Sequence, residues 1–273
     1  MTRDEARQLL QDAGVPDPRT DVRRLWDYAF FGYGEKIGGQ NDDTPNDLTL
    51  SVFQSAVKRR LERVPVSQIV GGRHFWKGWF KVTSDVLDPR PETETLIDIA
   101  LQQQFSRVLD LGTGSGCIVI SLLMERPEAS GVGTDICEAG VLVAGANAAF
   151  HKVADRLTLP ISDWFDDVGG RYDLIVSNPP YIAADEMHDL QPEVRDHEPR
   201  AALTDEADGL TAYRRISAGA PNHLTSGGRL LVEIGPTQAG AVSDLFREAG
   251  LEDVACHTDL DGRDRVVSAR APG

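Results

Sequence analysis

Residues 107–116 read RVLDLGTGSG, a short apolar run followed by three glycines at alternate positions. The run has the length of a buried β-strand, and the apolar spacing of residues 117–125 is that of a helix. Glycine lets the backbone turn sharply, and the first N–H groups of a helix are free to bind a ligand. A strand, a glycine loop and a helix in this order predict a nucleotide-like ligand at the strand end. The alternative is a plain tight turn.

The spacing of the glycines and the charge beside them narrow the choice of ligand. Cys117 stands where the dinucleotide pattern G-x-G-x-x-G requires its third glycine, so an NAD oxidoreductase is disfavoured. Asp110 lies near the end of the strand, and its negative charge would repel a pyrophosphate but attract a cationic amino acid. The methionine part of S-adenosylmethionine is a cationic amino acid, so the loop predicts this cofactor.

Short β-branched runs alternate with helical patterns beyond residue 93, as in βαβ units with a parallel sheet. We expect strands at residues 107–111, 131–135, 157–161, 172–177 and 229–234, with a closing pair near Val254 and Val266. We expect helices at residues 117–125, 138–150, 210–223 and 238–249. The fold class is therefore α/β.

The N-terminal part of the chain carries a helical pattern and no catalytic motif. Thr2 and Glu5 have the spacing of a capping box. Two further helices are expected, one from Asp21 onward and one at residues 49–63. Residues 32–47, between these two helices, are rich in Gly, Asn and Asp, which predicts a loop.

A connector is expected between the helical part and the α/β part. Phe75, Trp76, Trp79 and Phe80 crowd around Gly78, which favours a β-hairpin. The sequence therefore predicts a helical domain at residues 1–72, a hairpin connector at 73–92 and an α/β domain at 93–273.

Polar residues follow the next two expected strands at the same edge of the sheet. Asp135 ends the second strand, where its carboxylate can accept hydrogen bonds from both hydroxyls of a ribose. An Asp in that position is also a common helix N-cap, and the spacing leaves both interpretations open. Asp163 and Trp164 follow the third strand, where the indole can stack on adenine or pack, half-buried, against the protein.

The segment Asn178-Pro179-Pro180-Tyr181 follows the expected strand at residues 172–177. Two prolines cannot continue a central strand, and they stiffen the backbone beside them. The Asn178 side-chain oxygen and the Pro179 carbonyl can then both accept from one NH₂ group, while Tyr181 packs on a flat neighbour. These two hydrogen bonds draw electron density onto a nitrogen whose lone pair is delocalised, and they orient this nitrogen toward an electrophilic methyl group. The alternative is an ordinary Asn-Pro turn.

The glycine loop and the Asn-Pro-Pro-Tyr segment together resemble the class I methyltransferases that modify planar nitrogens. The chain resembles more narrowly the peptide chain release factor glutamine methyltransferases, the PrmC or HemK family. The segments that carry this resemblance are PVSQIVG at 65–71, PRPETE at 89–94, EVRDHEP at 193–199, DGL at 208–210 with YRRI at 213–216, and DLDGRDR at 259–265.

The resemblance covers residues 64–267 and implies both a fold and an activity. The implied fold is a Rossmann-like, seven-stranded S-adenosylmethionine-dependent methyltransferase domain behind a small N-terminal helical-bundle domain that docks the substrate. The implied reaction transfers a methyl group from S-adenosyl-L-methionine to the N5 amide nitrogen of the glutamine in the GGQ motif of release factors. The N-terminal third matches the family poorly, which leaves docking by that domain open.

Residue roles follow from the resemblance motif by motif. The implied cofactor-binding residues are Gly112, Thr113, Gly114, Ser115, Gly116, Asp135, Asp163, Trp164 and Asn178. The implied catalytic residues are Asn178 and Pro179, and the substrate glutamine would be held by Asn178, Pro179, Pro180 and Tyr181. We expect no metal site.

The composition limits which partners and which compartment the chain can have. The chain has 43 Asp and Glu against 28 Lys and Arg, and the net charge of -15 disfavours direct binding to nucleic acid. The sequence contains no apolar run of membrane-spanning length and no apolar N-terminal signal. Cys117, Cys137 and Cys256 lack CxxC spacing and favour a reducing compartment. We expect a cytoplasmic monomer whose partners are release factors, without direct contact to nucleic acid or membrane.

Two features and three competing functions stay open at this point. The basic run KRRLER at residues 58–63 is either a solvated helix face or a docking patch for an acidic release factor. Arg90 and Glu92 either form part of the pocket or make a buried ion pair. The competing functions are a ribosomal-protein glutamine methyltransferase, a DNA amino-methyltransferase and an inactive binding module on the same scaffold.

Overall fold

The N-terminal region is helical. The computed structural model describes residues 1–32 and 45–273, and the helices of this region are α1 Arg3–Asp12, α2 Pro18–Phe31, α3 Asp47–Leu61 and α4 Val66–Val70. The capping box is present, since Glu5 N donates to Thr2 Oγ1 at 3.2 Å and Thr2 N donates to Glu5 Oε2 at 2.7 Å. The helices share an apolar core that includes Leu10, Leu25 and Phe53. Most of the loop expected at residues 32–47 lies outside the described residues.

An antiparallel hairpin follows, formed by β1 Gly72–Phe75 and β2 Gly78–Lys81. The aromatic residues around Gly78 predicted a hairpin here. Phe75 and Phe80 are buried in the core of the C-terminal region, whereas Trp79 packs against the core of the N-terminal helices. The hairpin therefore contacts both regions, and the division of the chain into three domains stays a prediction.

A seven-stranded sheet forms the centre of the C-terminal region. Its strands are β3 Arg107–Leu111, β4 Ser130–Thr134, β5 Leu157–Thr158, β6 Tyr172–Ser177, β7 Leu224–Glu233, β8 Glu252–Thr258 and β9 Asp264–Arg270. Their order is β5-β4-β3-β6-β7-β9-β8, and the sheet is parallel except for β9, which is antiparallel to both of its neighbours.

Helices cover both faces of this sheet. They are α5 Glu94–Leu101, α6 Cys117–Glu125, α7 Glu138–Phe150, α9 Thr211–His223 and α10 Ala239–Glu248. The short helix α8 Pro192–His197 instead contacts the N-terminal region through Glu193. On one face Leu96 of α5 and Ile120 of α6 belong to the same buried core as the hairpin. On the other face Tyr213 of α9 and Phe246 of α10 belong to a second buried core. The expected α/β class, with a seven-stranded sheet and a helical N-terminal region, is confirmed.

The sheet reverses its strand order between β3 and β6. From β3 the chain continues outward through β4 and β5, and it then returns to place β6 on the other side of β3. Leu111 and Ser177, the last residues of these two strands, pair in register. Ligands of open α/β sheets bind at such a switch point, beyond the carboxyl ends of the strands. The glycine loop and the Asn-Pro-Pro-Tyr segment therefore start side by side.

The elements with strong local patterns have the expected bounds, among them β3, β6, α6 and α7. The expected strand at 157–161 is wrong in length, because β5 ends at Thr158. Pro160 has no N–H to give to a neighbouring strand, which explains the early end. Pattern reasoning missed three helices, α4, α5 and α8, which are short and begin at or close after a proline.

Candidate active site

A cavity of about 290 Å³ lies at the switch point of the sheet. Six stretches of chain line it, and they are separated by up to about a hundred residues. The lining residues used below are Arg90, Thr93, Gly112, Thr113, Gly114, Ser115, Asp135, Asp163, Trp164, Asn178 and Pro180. Of the predicted site residues that the structure describes, Gly116, Pro179 and Tyr181 do not line this cavity.

The glycine loop leaves open space beside its backbone. Gly112 and Gly114 have φ angles of 70° and 52°, a region that other residues rarely adopt. A Cβ atom built on either glycine would meet no atom within 4 Å. Gly116 differs, because a Cβ there would lie 2.7 Å from the Ile120 side chain. Two of the glycines thus leave room for a ligand, while the third permits close packing against helix α6.

Asp110 lies beneath the loop and is fully buried. Its Oδ2 accepts hydrogen bonds from Thr113 Oγ1 at 2.7 Å and from Val119 N at 3.4 Å. Its Oδ1 has no partner among the described residues. Burial raises the pKa of the Asp110 carboxyl to about 7, although the Thr113 hydrogen bond opposes the shift. A nearby cation would favour the charged form, and Asp110 acts from beneath the loop, since it is not among the residues that line the cavity.

Asp135 fixes the loop from the end of β4. Its Oδ2 accepts from Gly114 N at 2.8 Å, and its Oδ1 accepts from Cys137 N at 2.9 Å at the start of α7. Each carboxylate oxygen can accept a second hydrogen bond. Asp135 therefore organises the backbone and still has the acceptor capacity that two ribose hydroxyls require.

Trp164 and Asp163 form another part of the cavity wall. Trp164 has a positive φ of 54°, which is a strained conformation for a bulky residue and is typical of ligand sites. Its indole also packs against the core beneath α9 and α10, so both sequence interpretations of this residue are compatible with its place. The Asp163 carboxylate pairs with Arg215 at 3.1 Å. Binding of the cofactor by Asp163 stays a prediction.

The Asn-Pro-Pro-Tyr segment is held on both sides. Asn178 Nδ2 donates to Thr93 Oγ1 at 3.2 Å, and Asn178 Oδ1 is buried without a partner among the described residues. Gln238 Nε2 donates to the Tyr181 backbone carbonyl at 2.9 Å. The Tyr181 ring packs against the apolar core, where burial raises the pKa of its hydroxyl to about 12. The segment thus presents one free amide oxygen near the cavity.

Sequence reasoning missed several residues that support this site. Thr93 Oγ1 donates to Glu233 Oε2 at 2.6 Å, and Glu233 is the last residue of β7. Asn147 of α7 donates to the Ser115 carbonyl at 2.8 Å and to the Lys81 carbonyl at 3.1 Å, which ties the glycine loop to the hairpin. An acidic residue directly after the apolar run 230–232 was a usable signal for Glu233. No local pattern marks Thr93 or Asn147.

Arg90 lines the cavity and pairs with Glu198, not with Glu92. Its Nη2 lies 2.8 Å from Glu198 Oε1 and 2.7 Å from Oε2. Burial raises the pKa of the Glu198 carboxyl to about 7, although Arg90 opposes the shift. Arg90 is therefore a pocket residue, and the alternative of an ion pair between Arg90 and Glu92 is wrong, because the partner of Arg90 is Glu198.

The basic run at 58–63 is not uniformly exposed. Arg60 is buried and lies 2.7 Å from Asp21 Oδ2 and 2.8 Å from Glu193 Oε1. Arg63 lies 2.7 Å from the other oxygen of Glu193. The interpretation of the whole run as a solvated face is therefore wrong. These two arginines join the N-terminal helices to helix α8, beyond the Asn-Pro-Pro-Tyr segment.

Comparisons with known proteins agree with this architecture. Residues 85–193 match the family model of the methyltransferase small domain, and residues 2–71 match that of the PrmC N-terminal domain. The second match overturns the expectation that the N-terminal third matches the family poorly. The release factor glutamine methyltransferase of Cereibacter sphaeroides is 52% identical over 96% of this chain and 95% of its own length. That of Caulobacter vibrioides is 40% identical over 96% of this chain and 92% of its own.

A solved methyltransferase from Pyrococcus furiosus has a TM-score of 0.59 at 14% identity, covers 79% of this chain and 100% of its own, and shows the fold alone. The seven-stranded sheet, the glycine loop and the acidic residues beside it are those of an S-adenosylmethionine-dependent methyltransferase. Within that class, the chain belongs to the family of release factor glutamine methyltransferases.

None of the helices in residues 1–32 and 45–273 combines the length and the apolar character that a bilayer crossing requires.

Proposed function

We propose that this chain transfers a methyl group from S-adenosylmethionine to the N5 side-chain nitrogen of the glutamine in the GGQ motif of peptide chain release factors. The observation that carries the proposal is the free, buried acceptor Oδ1 of Asn178 at the edge of the cofactor cavity. A buried acceptor without a donor costs about 1–3 kcal/mol, so a ligand that supplies an N–H group is favoured there. The names of the relatives support a release factor as the source of that group.

The proposed site residues are those that the sequence predicted. Gly112 to Gly116, Asp135, Asp163, Trp164 and Asn178 would hold the cofactor, and Asp110 would lie against its cationic amino group. When bound, S-adenosylmethionine supplies an electrophilic methyl group on a positively charged sulfur. The protein itself supplies no nucleophile, so its task is to bind and orient the glutamine nitrogen.

Asn178 and Pro179 would perform that orientation. The nitrogen of an amide is a poor nucleophile because its lone pair is delocalised into the carbonyl group. Asn178 Oδ1 and the Pro179 carbonyl would each accept one of its two hydrogens, which increases the electron density on nitrogen and stabilises the positive charge that develops there. Neither acceptor is a base of useful strength, so the nitrogen would release its proton to solvent after the methyl group has passed from sulfur to nitrogen, with the sulfur left as a neutral thioether.

We propose further that the protein works as a cytoplasmic monomer that contacts neither nucleic acid nor membrane directly. The net charge of -15 supports the first of these exclusions, since repulsion opposes contact with a phosphate backbone. Cys117, Cys137 and Cys256 are free thiols, in keeping with a reducing compartment. The division into domains at 1–72, 73–92 and 93–273 belongs to the same proposal.

The proposal is tested with isotopically labelled S-adenosylmethionine and purified protein. Release factors, their GGQ-to-GGA variants, ribosomal proteins and DNA are offered separately, and mass spectrometry locates the label. We expect label on the GGQ glutamine of release factors and none on the GGA variants. Label on a ribosomal-protein glutamine or on a DNA base, with release factors unlabelled, would overturn the proposed substrate.

A further inference from the structure

We propose that Thr93 is a positioning residue that fixes the orientation of the Asn178 side-chain amide, so that its oxygen and not its nitrogen faces the substrate. The inference rests on the proposed function, because it assigns a device for that reaction to the same site. Thr93 itself is 2% exposed and lies at the wall of the cofactor cavity.

The direction of two hydrogen bonds supports this role. Thr93 Oγ1 donates to Glu233 Oε2 at 2.6 Å, and this carboxyl can only accept a hydrogen bond once it is ionised, which is above its raised pKa of about 7. Thr93 has one hydroxyl proton, which it gives to Glu233, so its oxygen is left to accept. The group 3.2 Å from that oxygen must then be the donor, which is Asn178 Nδ2. The other atom of the amide, Oδ1, is thereby kept for a ligand.

Glu233 is itself held in place. It is the last residue of β7 and is 1% exposed, and its backbone carbonyl accepts from Tyr213 Oη at 2.8 Å. Arg265 Nη1 lies 3.9 Å from Glu233 Oε1, and Arg265 Nη2 lies 3.2 Å from Asp259 Oδ2. The acceptor for the Thr93 proton therefore has a fixed position, and the hydrogen bonds run in series from β7 through Thr93 to Asn178.

The place of Thr93 in the backbone argues against a purely local role. Thr93 is the last residue of a 3₁₀ turn, 91–93, that leads directly into α5, and a local role for its hydroxyl would be a capping bond to a nearby backbone N–H. Its side chain makes no such capping bond. The hydroxyl is instead used in contacts with residues 140 and 85 positions away in the sequence. Replacing the hydroxyl should therefore spare the helix and affect Asn178.

The experiment compares Thr93→Val, which keeps the shape and removes the hydroxyl, with Thr93→Ser, which keeps the hydroxyl. Thr225→Val is the matched control, since Thr225 also uses its hydroxyl but lies at the opposite, amino end of β7. We expect Thr93→Val to lower kcat on the release factor about tenfold or more, as for a lost hydrogen bond to a reacting group. Thr93→Ser and the control should stay within about twofold of wild type, and in Thr93→Val the affinity for S-adenosylmethionine, measured by calorimetry, should fall by much less than kcat.

A double-mutant cycle separates positioning from an independent contribution. In an Asn178→Ala background, Thr93→Val should change kcat by less than about twofold, because the residue through which it acts is gone. If the double variant instead lost kcat by the product of the two single losses, the inference would be overturned. A Thr93→Val enzyme with the kcat of wild type, or one that loses kcat and cofactor affinity together, would overturn it as well.

An NMR measurement decides the inference even without catalysis. The side-chain NH₂ signal of Asn178, assigned by its absence in Asn178→Ala, should show protection from solvent exchange in wild type and Thr93→Ser but not in Thr93→Val. Unchanged protection in Thr93→Val would mean that Thr93 does not hold the amide. If wild type methylates no release factor while this pattern is found, the proposed function fails and the positioning of Asn178 stands.

Discussion

Two oxygen atoms define the chemistry of the site at the scale of single residues. Asp110 Oδ1 and Asn178 Oδ1 are both buried and both lack a hydrogen-bond partner among the described residues. Asp110 is a carboxyl group, which favours a cation, whereas Asn178 is a neutral amide that favours an N–H donor. They belong to neighbouring strand ends, so one edge of the sheet offers separate places for a charged cofactor and for a neutral group that receives the methyl group.

Replacing Asn178 tests the second of these atoms. We expect Asn178→Ala to lower kcat about a hundredfold, because one of the two acceptors that orient the nitrogen is lost. Affinity for S-adenosylmethionine should fall by much less, which calorimetry can measure. Asn222→Ala, at an exposed position of α9, is the control. Wild-type turnover in Asn178→Ala would rule out the proposed mechanism.

The pH dependence of cofactor affinity tests the first atom. Burial raises the pKa of Asp110 to about 7, and a cationic ligand beside it favours the ionised form. Affinity for S-adenosylmethionine should therefore rise with pH from about 5 to 7, by at most tenfold per pH unit, and then level off. Calorimetry across this range measures the profile. In Asp110→Asn the affinity should be weaker and the profile flat, and an unchanged slope in this variant would contradict the assignment.

At the scale of elements, the segment after Asn-Pro-Pro-Tyr is fastened at two points. Its ends meet where Ile182 N donates to the Leu203 carbonyl at 2.9 Å. Between these ends, Glu193 of α8 contacts Arg60 and Arg63 of the N-terminal region. Pro199, Ala201 and Ala202, further along the same segment, line the cavity. The N-terminal helices thus hold one wall of the site in place.

Removing the charge of Glu193 tests this attachment. Arg60 keeps Asp21 as a partner, so we expect Glu193→Gln to lower the free energy of unfolding by about 1–3 kcal/mol, less than for a fully broken buried pair. KM for the release factor should rise, while cofactor affinity should change less, because the glycine loop and Asp135 belong to other elements than α8. Urea unfolding and steady-state kinetics measure the two effects.

Asp189→Asn provides the control for Glu193→Gln. It removes the same charge from the same segment at a position where the side chain is 76% exposed. This variant should behave as wild type in both measurements. Equal behaviour of the two variants would mean that the ion pair does not position the segment.

At the scale of the whole molecule, the sheet collects chain segments that are remote in sequence. The cavity is lined by residues from 85 to 202. Glu233, at the carboxyl end of β7, supports it through its hydrogen bond with Thr93. Because these segments converge at one edge of the sheet, several carboxyl groups are buried close to the cavity. Burial raises the pKa of Asp110 and of Glu233 to about 7, from ordinary values of 3.8 and 4.5.

These buried carboxyl groups predict how the stability of the protein depends on pH. Between about pH 4 and 7 the folded state holds protons that the unfolded state has lost, so their contribution to stability is complete below this window and lost above it. Each group lowers the free energy of unfolding by up to about 1.4 kcal/mol per pH unit within the window. Urea unfolding of Asp110→Asn/Glu233→Gln should show a weaker decline from pH 5 to 7.5 than wild type. Parallel declines in the two proteins would refute the assignment of these pKa values.

The sequence by itself determined the α/β class, the bounds of β3, β6, α6 and α7, and the two loops that border the cavity. These features depend on apolar periodicity, glycine and proline over a few neighbouring residues. Such short-range preferences can be predicted without knowledge of the tertiary structure. The shortness of β5 was equally legible in Pro160, although the apolar run around it predicted a longer strand.

Only the tertiary structure decided which side chains support the site. Thr93 meets Glu233 across 140 residues, Arg60 meets Glu193 across 133, and Arg90 meets Glu198 across 108. These contacts arise where strands and helices pack at one edge of the sheet, and no local pattern announces them. The roles of Arg60 and Arg90 were open in the sequence for this reason, since the charge of a residue is local information but its partner is not.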